Sequence, residues 1–180
     1  MGVLHGLGDT LVPPAEAAVK PARMISAERF VLVDHKGARK GEFSLTSRAE
    51  PRLDLYGDNG SLRAEVSVIH DIARVRVFDT SGVPQGTLGT TPDGRVGLAL
   101  LDKDHHLRET LDVASDGDPA LRLFSSAGPR LGLNVTTDSR PGLALLGPEG
   151  KTRAALVVNA AGAGGLTFYN SDGGVLAGMP

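Results

Sequence analysis

Glycine recurs in this chain with a period of 22 or 23 residues: Gly37, Gly60, Gly82, Gly128, Gly150 and Gly173 fall in step, and His105 stands where one more is due. A period that short holds one small supersecondary unit and is about half of what a propeller blade needs. Seven units begin at Phe30, Leu53, Val75, Leu98, Leu121, Leu143 and Leu166. They define a single repeat domain over residues 27–180, preceded by residues 1–26, a non-repetitive segment expected to be loosely ordered.

Each unit opens with apolar residues two apart, such as Leu53 and Leu55 or Val75 and Val77, the alternation of a strand with two different faces. Three residues before each turn glycine stands Asp34, Gly57, Asp79, Asp102, Ser125, Gly147 or Asn170. Most of these bond the following backbone, while glycine accepts positive φ, so D-x-x-G marks a tight reversal. A second alternating run follows, as in Val66 and Val68 or Leu133 and Val135. Each unit is therefore read as a β-hairpin, and keeping the two apolar runs on one face requires an even loop of two or four residues.

The segments between hairpins, among them TSRAEPR and TTDSRPG, are too short for a crossover helix, so successive strands should be antiparallel. An open sheet of about fourteen strands leaves two unpaired edges, whereas a round barrel of that size encloses water. The sequence therefore predicts an all-β, closed or nearly closed shallow barrel of seven antiparallel hairpins. Small residues, Gly41, Ala64, Gly86, Ala154 and Ala177, should allow it to narrow, with Glu109 the exception, and Leu98, Leu100, Leu121, Leu123, Leu143 and Leu145 should form its core. The alternative is a β-solenoid with one coil per repeat and parallel pairing between coils.

The run AERFVLVDHKGARK and the units LDLYGDNGSLRAEV and LALLGPEGKTRAAL follow the pattern [LV]-x-[LV]-[YFL]-[DGSN]-x-x-G-x-x-[RQ]. From about residue 27 to 180 the chain resembles the bacterial repeat proteins described as having a β-flower fold. That resemblance implies hairpin petals around a shallow barrel, similar in outline to the phosphoinositide-binding tubby carboxy-terminal domain, and no settled biochemical activity. Members of that family often carry an amino-terminal membrane helix or lipid signal.

Chemistry is sparse by comparison. With 19 basic and 21 acidic residues the chain lacks the overall basic excess usual for nucleic-acid binding, and without cysteine it has no thiolate nucleophile or ligand. G-x-S-x-G, S-x-x-K, H-E-x-x-H, Walker and dinucleotide motifs are absent, and the five histidines occupy unrelated phases of the repeat. No enzyme is expected, and no catalytic, cofactor or metal residues; the acidic turns at 102–104 and 116–118 read as turn formers rather than calcium loops.

One column stands out. Three places after the turn glycine come Lys40, Arg63, Arg108 and Arg153, joined by Arg130 once a one-residue deletion in the fifth unit is allowed for. Tyr56, Phe78, Phe124 and Tyr169 are expected nearby, so the favoured role is shielding of aromatic rings by arginine. The functional alternative is a basic rim for anionic lipid headgroups.

No apolar run is long enough to span a membrane and the opening residues lack a secretory pattern, which favours a cytoplasmic location. The sequence thus points to a non-enzymatic structural or interaction module that engages a protein partner or itself. The alternative is a module that binds a lipid-like or apolar small molecule at the barrel hub.

Overall fold

The computed structural model of the protein describes residue 24 and residues 26–180. The expectation of a loose segment over 1–26 falls almost entirely outside the described residues. The alternating runs form β1 (Arg29–Val33), β2 (Arg39–Leu45), β3 (Pro51–Tyr56), β4 (Leu62–Ile69), β5 (Ile72–Phe78), β6 (Pro84–Thr90) and β7 (Val96–Leu101). The second half contains β8 (Leu107–Val113), β9 (Pro119–Ser125), β10 (Gly128–Val135), β11 (Pro141–Leu146), β12 (Thr152–Val158), β13 (Gly164–Tyr169) and β14 (Val175–Met179). They make one 14-stranded sheet in chain order, and each pairing is antiparallel between consecutive strands.

The hairpin tips obey the expected turn chemistry. At the first tip Asp34 Oδ1 accepts the N–H groups of Lys36 and Ala38, and Gly37 takes a φ of 81°. His105 replaces glycine at the same station with a φ of 65°, a conformation that strains a residue with a Cβ. The other end of the sheet repeats the device: Thr46, Thr91, Thr136 and Asn159 open turns in which Ala49, Gly94, Ser139 and Gly162 take positive φ. The returns between hairpins are thus built like the tips, except the two-residue turn between β4 and β5, where His70 and Asp71 both take positive φ.

The loop count needs correction. Tyr56 pairs with Leu62 across five residues, an odd number, and parity is restored by a register shift before Leu55 pairs with Ala64. The skipped residue is Arg63, a β-bulge. The same shift skips Lys40, Gln85, Arg108, Arg130, Arg153 and Leu176 in the other hairpins. In the fifth hairpin the tip shrinks to two residues between Ser125 and Gly128, yet the bulge survives.

The expected ring does not close: β1 and β14 have no pairing with each other, so among the described residues the sheet is open at both ends. It shares with the solenoid alternative an open-ended row of repeats, although pairing runs antiparallel between neighbours. The small residues have another use. A Cβ on Gly86 would lie 3.0 Å from Val77 Cγ2 and 3.2 Å from Leu100 Cδ2, so the glycine makes room for side chains from the strands beside it. Crowding is relieved between neighbouring strands of one open row rather than around a hub.

The core is corrected with it. Among the described residues only Phe78 and Ala120 are buried apolar side chains. Leu123 and Leu145 are exposed, and Leu98, Leu100, Leu121 and Leu143 are half-buried.

Candidate functional site

A single sheet presents two faces, and here they differ in kind. On the first face one complete row of directly paired residues is apolar, running from Phe30 on β1 through Leu98 on β7 to Met179 on β14. Beside it runs a second row, Leu32–Gly41–Leu55–Ala64–Val77–Gly86 in its first half and Leu145–Ala154–Phe168–Ala177 at its far end, large on odd strands and small on even ones. Glu109 on β8 and Leu131 on β10 interrupt the alternation. Leu111, in the middle of the sheet, is 53% exposed.

The opposite face buries charge instead. Glu42, Asp54 and Glu65 lie directly across from one another on β2, β3 and β4, and Asp54 and Glu65 are 1% and 2% exposed. Like charges in such positions repel, and arginines separate them. Arg29 and Arg39 reach Glu42 at 2.7 and 2.9 Å, Arg52 reaches Asp54 at 2.8 Å, and Arg76 grips Glu65 through two bonds of 3.1 and 2.7 Å. Further along, Arg95 and Arg122 share Asp112 at 3.4 and 2.8 Å.

The Arg29 guanidinium, opposed by burial, holds Glu42 below the usual carboxylate range. For Glu65 burial pushes upward, but bonds from Arg76 and Ser67 outweigh it and the net shift is downward. Where Gly89 and Gly97 lack side chains, a trough of about 260 Å³ opens between Arg74 and Asp112.

The basic column is the bulge column, a coincidence the repeat alignment could not reveal. A bulged residue has no cross-strand partner, and its long side chain reaches forward to the next hairpin tip. Lys40 bonds Asp58 at 2.7 Å, Arg63 Nε donates to Phe78 O at 3.1 Å, Arg130 donates to Gly147 O at 2.6 Å, and Arg153 bonds Asn170 O. Absent side chains clear the path, since a Cβ on Gly57 would lie 3.2 Å from Arg63 Cγ. Arg108 turns back to Asp102 at 2.7 Å, the following tip being the shortened one.

The aromatic partners of the column are corrected: Arg39 covers Tyr56 at 4.2 Å and Arg76 lies 5.3 Å from the Phe78 ring centre. Neither arginine belongs to the column.

Asp102, Asp104 and His106 bring potential ligand atoms within 4.8 Å of one another. The Asp102 carboxylate already accepts the N–H groups of Asp104 and His106 and a bond from Arg108. Burial opposes this, yet those bonds hold its pKa far below the ordinary value. No helix among the described residues is long and apolar enough to cross a membrane.

No family model matches the chain, and no curated protein matches it. Among solved structures, the wild-type TCP10 domain of Danio rerio CPAP aligns over 83% of this chain and 99% of that one, at 13% identity and a TM-score of 0.20. A score that low carries no argument about fold or role.

Proposed function

We propose that this chain is a non-enzymatic interaction module: a single-layer β platform that keeps a broad apolar face available to a macromolecular partner. The observation that carries the proposal is the unbroken apolar row across fourteen strands, half-exposed throughout its centre. An apolar patch of that extent is far larger than a soluble monomer usually leaves open. The opposite face supports the reading, because its buried carboxylates already have arginine partners. The hairpin unit supports kinship with the β-flower proteins at the level of the repeat, without the ring.

A fluorescent probe of apolar surface tests the proposal. Dilute protein should bind it, and Leu98→Lys combined with Leu121→Lys should abolish the signal while circular dichroism stays that of a sheet. Absence of probe binding by the unmodified chain contradicts the platform.

Lipid binding through the basic rim is the weaker reading, because Lys40, Arg63, Arg108 and Arg153 already contact acidic or carbonyl groups of the chain. Flotation with anionic liposomes at low salt should leave the protein unbound. Salt-sensitive flotation that disappears in a triple Arg63→Ala, Arg108→Ala, Arg153→Ala variant would reverse the ranking.

A further inference from the structure

We infer that the partner of the apolar face is a second copy of this chain, packed face to face about a two-fold axis parallel to the strands. The inference rests on the platform reading above and adds the identity of the occupant.

Corrugation is the first argument. In the second apolar row Leu55, Val77 and Leu100 form ridges on odd strands, while Gly41, Ala64 and Gly86 form furrows on even strands. The repeat is two strand spacings, about 9.6 Å. Because the sheet has fourteen strands, a central two-fold axis along the strand direction places the first strand over the fourteenth, the second over the thirteenth, and every odd strand over an even one. Leu32, Leu55, Leu123, Leu145 and Phe168 then each face a glycine or alanine of the other copy, while Val77 meets Leu131 and Leu100 meets Glu109, the two places where the alternation is interrupted. A fluid bilayer has no such period, and an unrelated apolar protein surface would match it only by accident.

Area is the second argument. Thirteen strand spacings give a length of about 62 Å, and two side-chain rows span about 14 Å. Face-to-face packing would therefore cover roughly 900 Å² per copy, about 1,800 Å² in all, which lies within the range of stable dimers.

Charge is the third. Within these two rows the one ionisable residue is Glu109 on β8, beside the central axis, where it would lie over Leu100 of the second copy. Its carboxylate opposes closure, so association should be reversible rather than permanent.

Analytical ultracentrifugation of the full chain across micromolar to submillimolar concentration provides the test, with circular dichroism as the check on folding. The expected result is a monomer–dimer equilibrium abolished by Leu98→Lys with Leu111→Lys. Replacing the buried charge, Glu109→Leu, should tighten the dimer about tenfold or more. Ala64→Leu makes the face more apolar but fills a furrow, and should weaken the dimer about tenfold.

Tightening by Ala64→Leu would overturn the inference, because it would mean non-specific adhesion. Open-ended polymers that persist in the double lysine variant would overturn it in favour of pairing through the strand edges. A monomer at every concentration overturns it too. If that monomer binds the apolar probe, the platform reading survives without self-pairing; if it does not, both readings fail.

Discussion

Asp54 and Glu65 are the most deeply buried side chains described, while the leucines on the other face remain half-exposed. That inversion sets the energetics of single residues. Leu121→Ala removes a side chain that is already half in water, so at dilution it should cost about 1 kcal/mol, well below a fully buried leucine truncation. Glu65→Ala strands the Arg76 and Ser67 donors and should cost about 2 kcal/mol. Urea melts that ranked the two in the opposite order would show the face assignment to be wrong.

The same carboxylates predict acid sensitivity. Glu42 and Glu65 titrate below their ordinary values when folded, so their contribution is complete above the unfolded value of about 4.3 and is lost as pH falls through the folded values. The urea midpoint should drop below about pH 4, and Glu65→Gln should flatten that dependence. An unchanged slope in the variant would show that Glu65 is not part of the acid response.

At the scale of the element, the hairpin was legible because two signals agree: Leu53 and Leu55 repeat with period two, and Gly60 closes the turn after them. The bulge was hidden. A sequence shows that Val66 and Val68 return to the face of Leu53 and Leu55, but the parity of a five-residue loop plus one bulged residue equals that of an even loop. The sequence presents Arg63 and its equivalents as a basic column, and only the register shows that they stand at the bulge and reach the next tip. The buried Glu42–Asp54–Glu65 line could have been suspected from the residues between the apolar pairs, each of which must face the other side. The His105 turn gives a direct check on the unit. Since His105 holds a φ of 65°, His105→Gly should raise stability by about 0.5–1 kcal/mol, the relief of left-handed strain less the extra chain entropy of glycine. A destabilising result would mean that the histidine side chain contributes a contact of its own.

For the whole molecule, local pattern determined which strands pair but not whether the ends meet. Every pairing from β1 to β14 joins sequence neighbours, and such local contacts leave closure undetermined. The fear of exposed edges and of a wet interior argued for a ring. What replaces it is a sheet whose ion-paired face needs no cover and whose Gly41 and Gly86 leave room for side chains of the neighbouring strands; its apolar face is the one that the proposed association would bury.

Whether the sheet is open can be read from a single distance. The chain has no cysteine, so His35→Cys and Asp172→Cys place one spin label on the first hairpin tip and one on the last, both exposed. Electron–electron double resonance, with labelled protein diluted into unlabelled protein, should give a distance of roughly 50–60 Å, close to twelve strand spacings shortened by twist. A distance of about 20 Å or less would place β1 beside β14 and contradict the open sheet, since only a few strand spacings fit in that span.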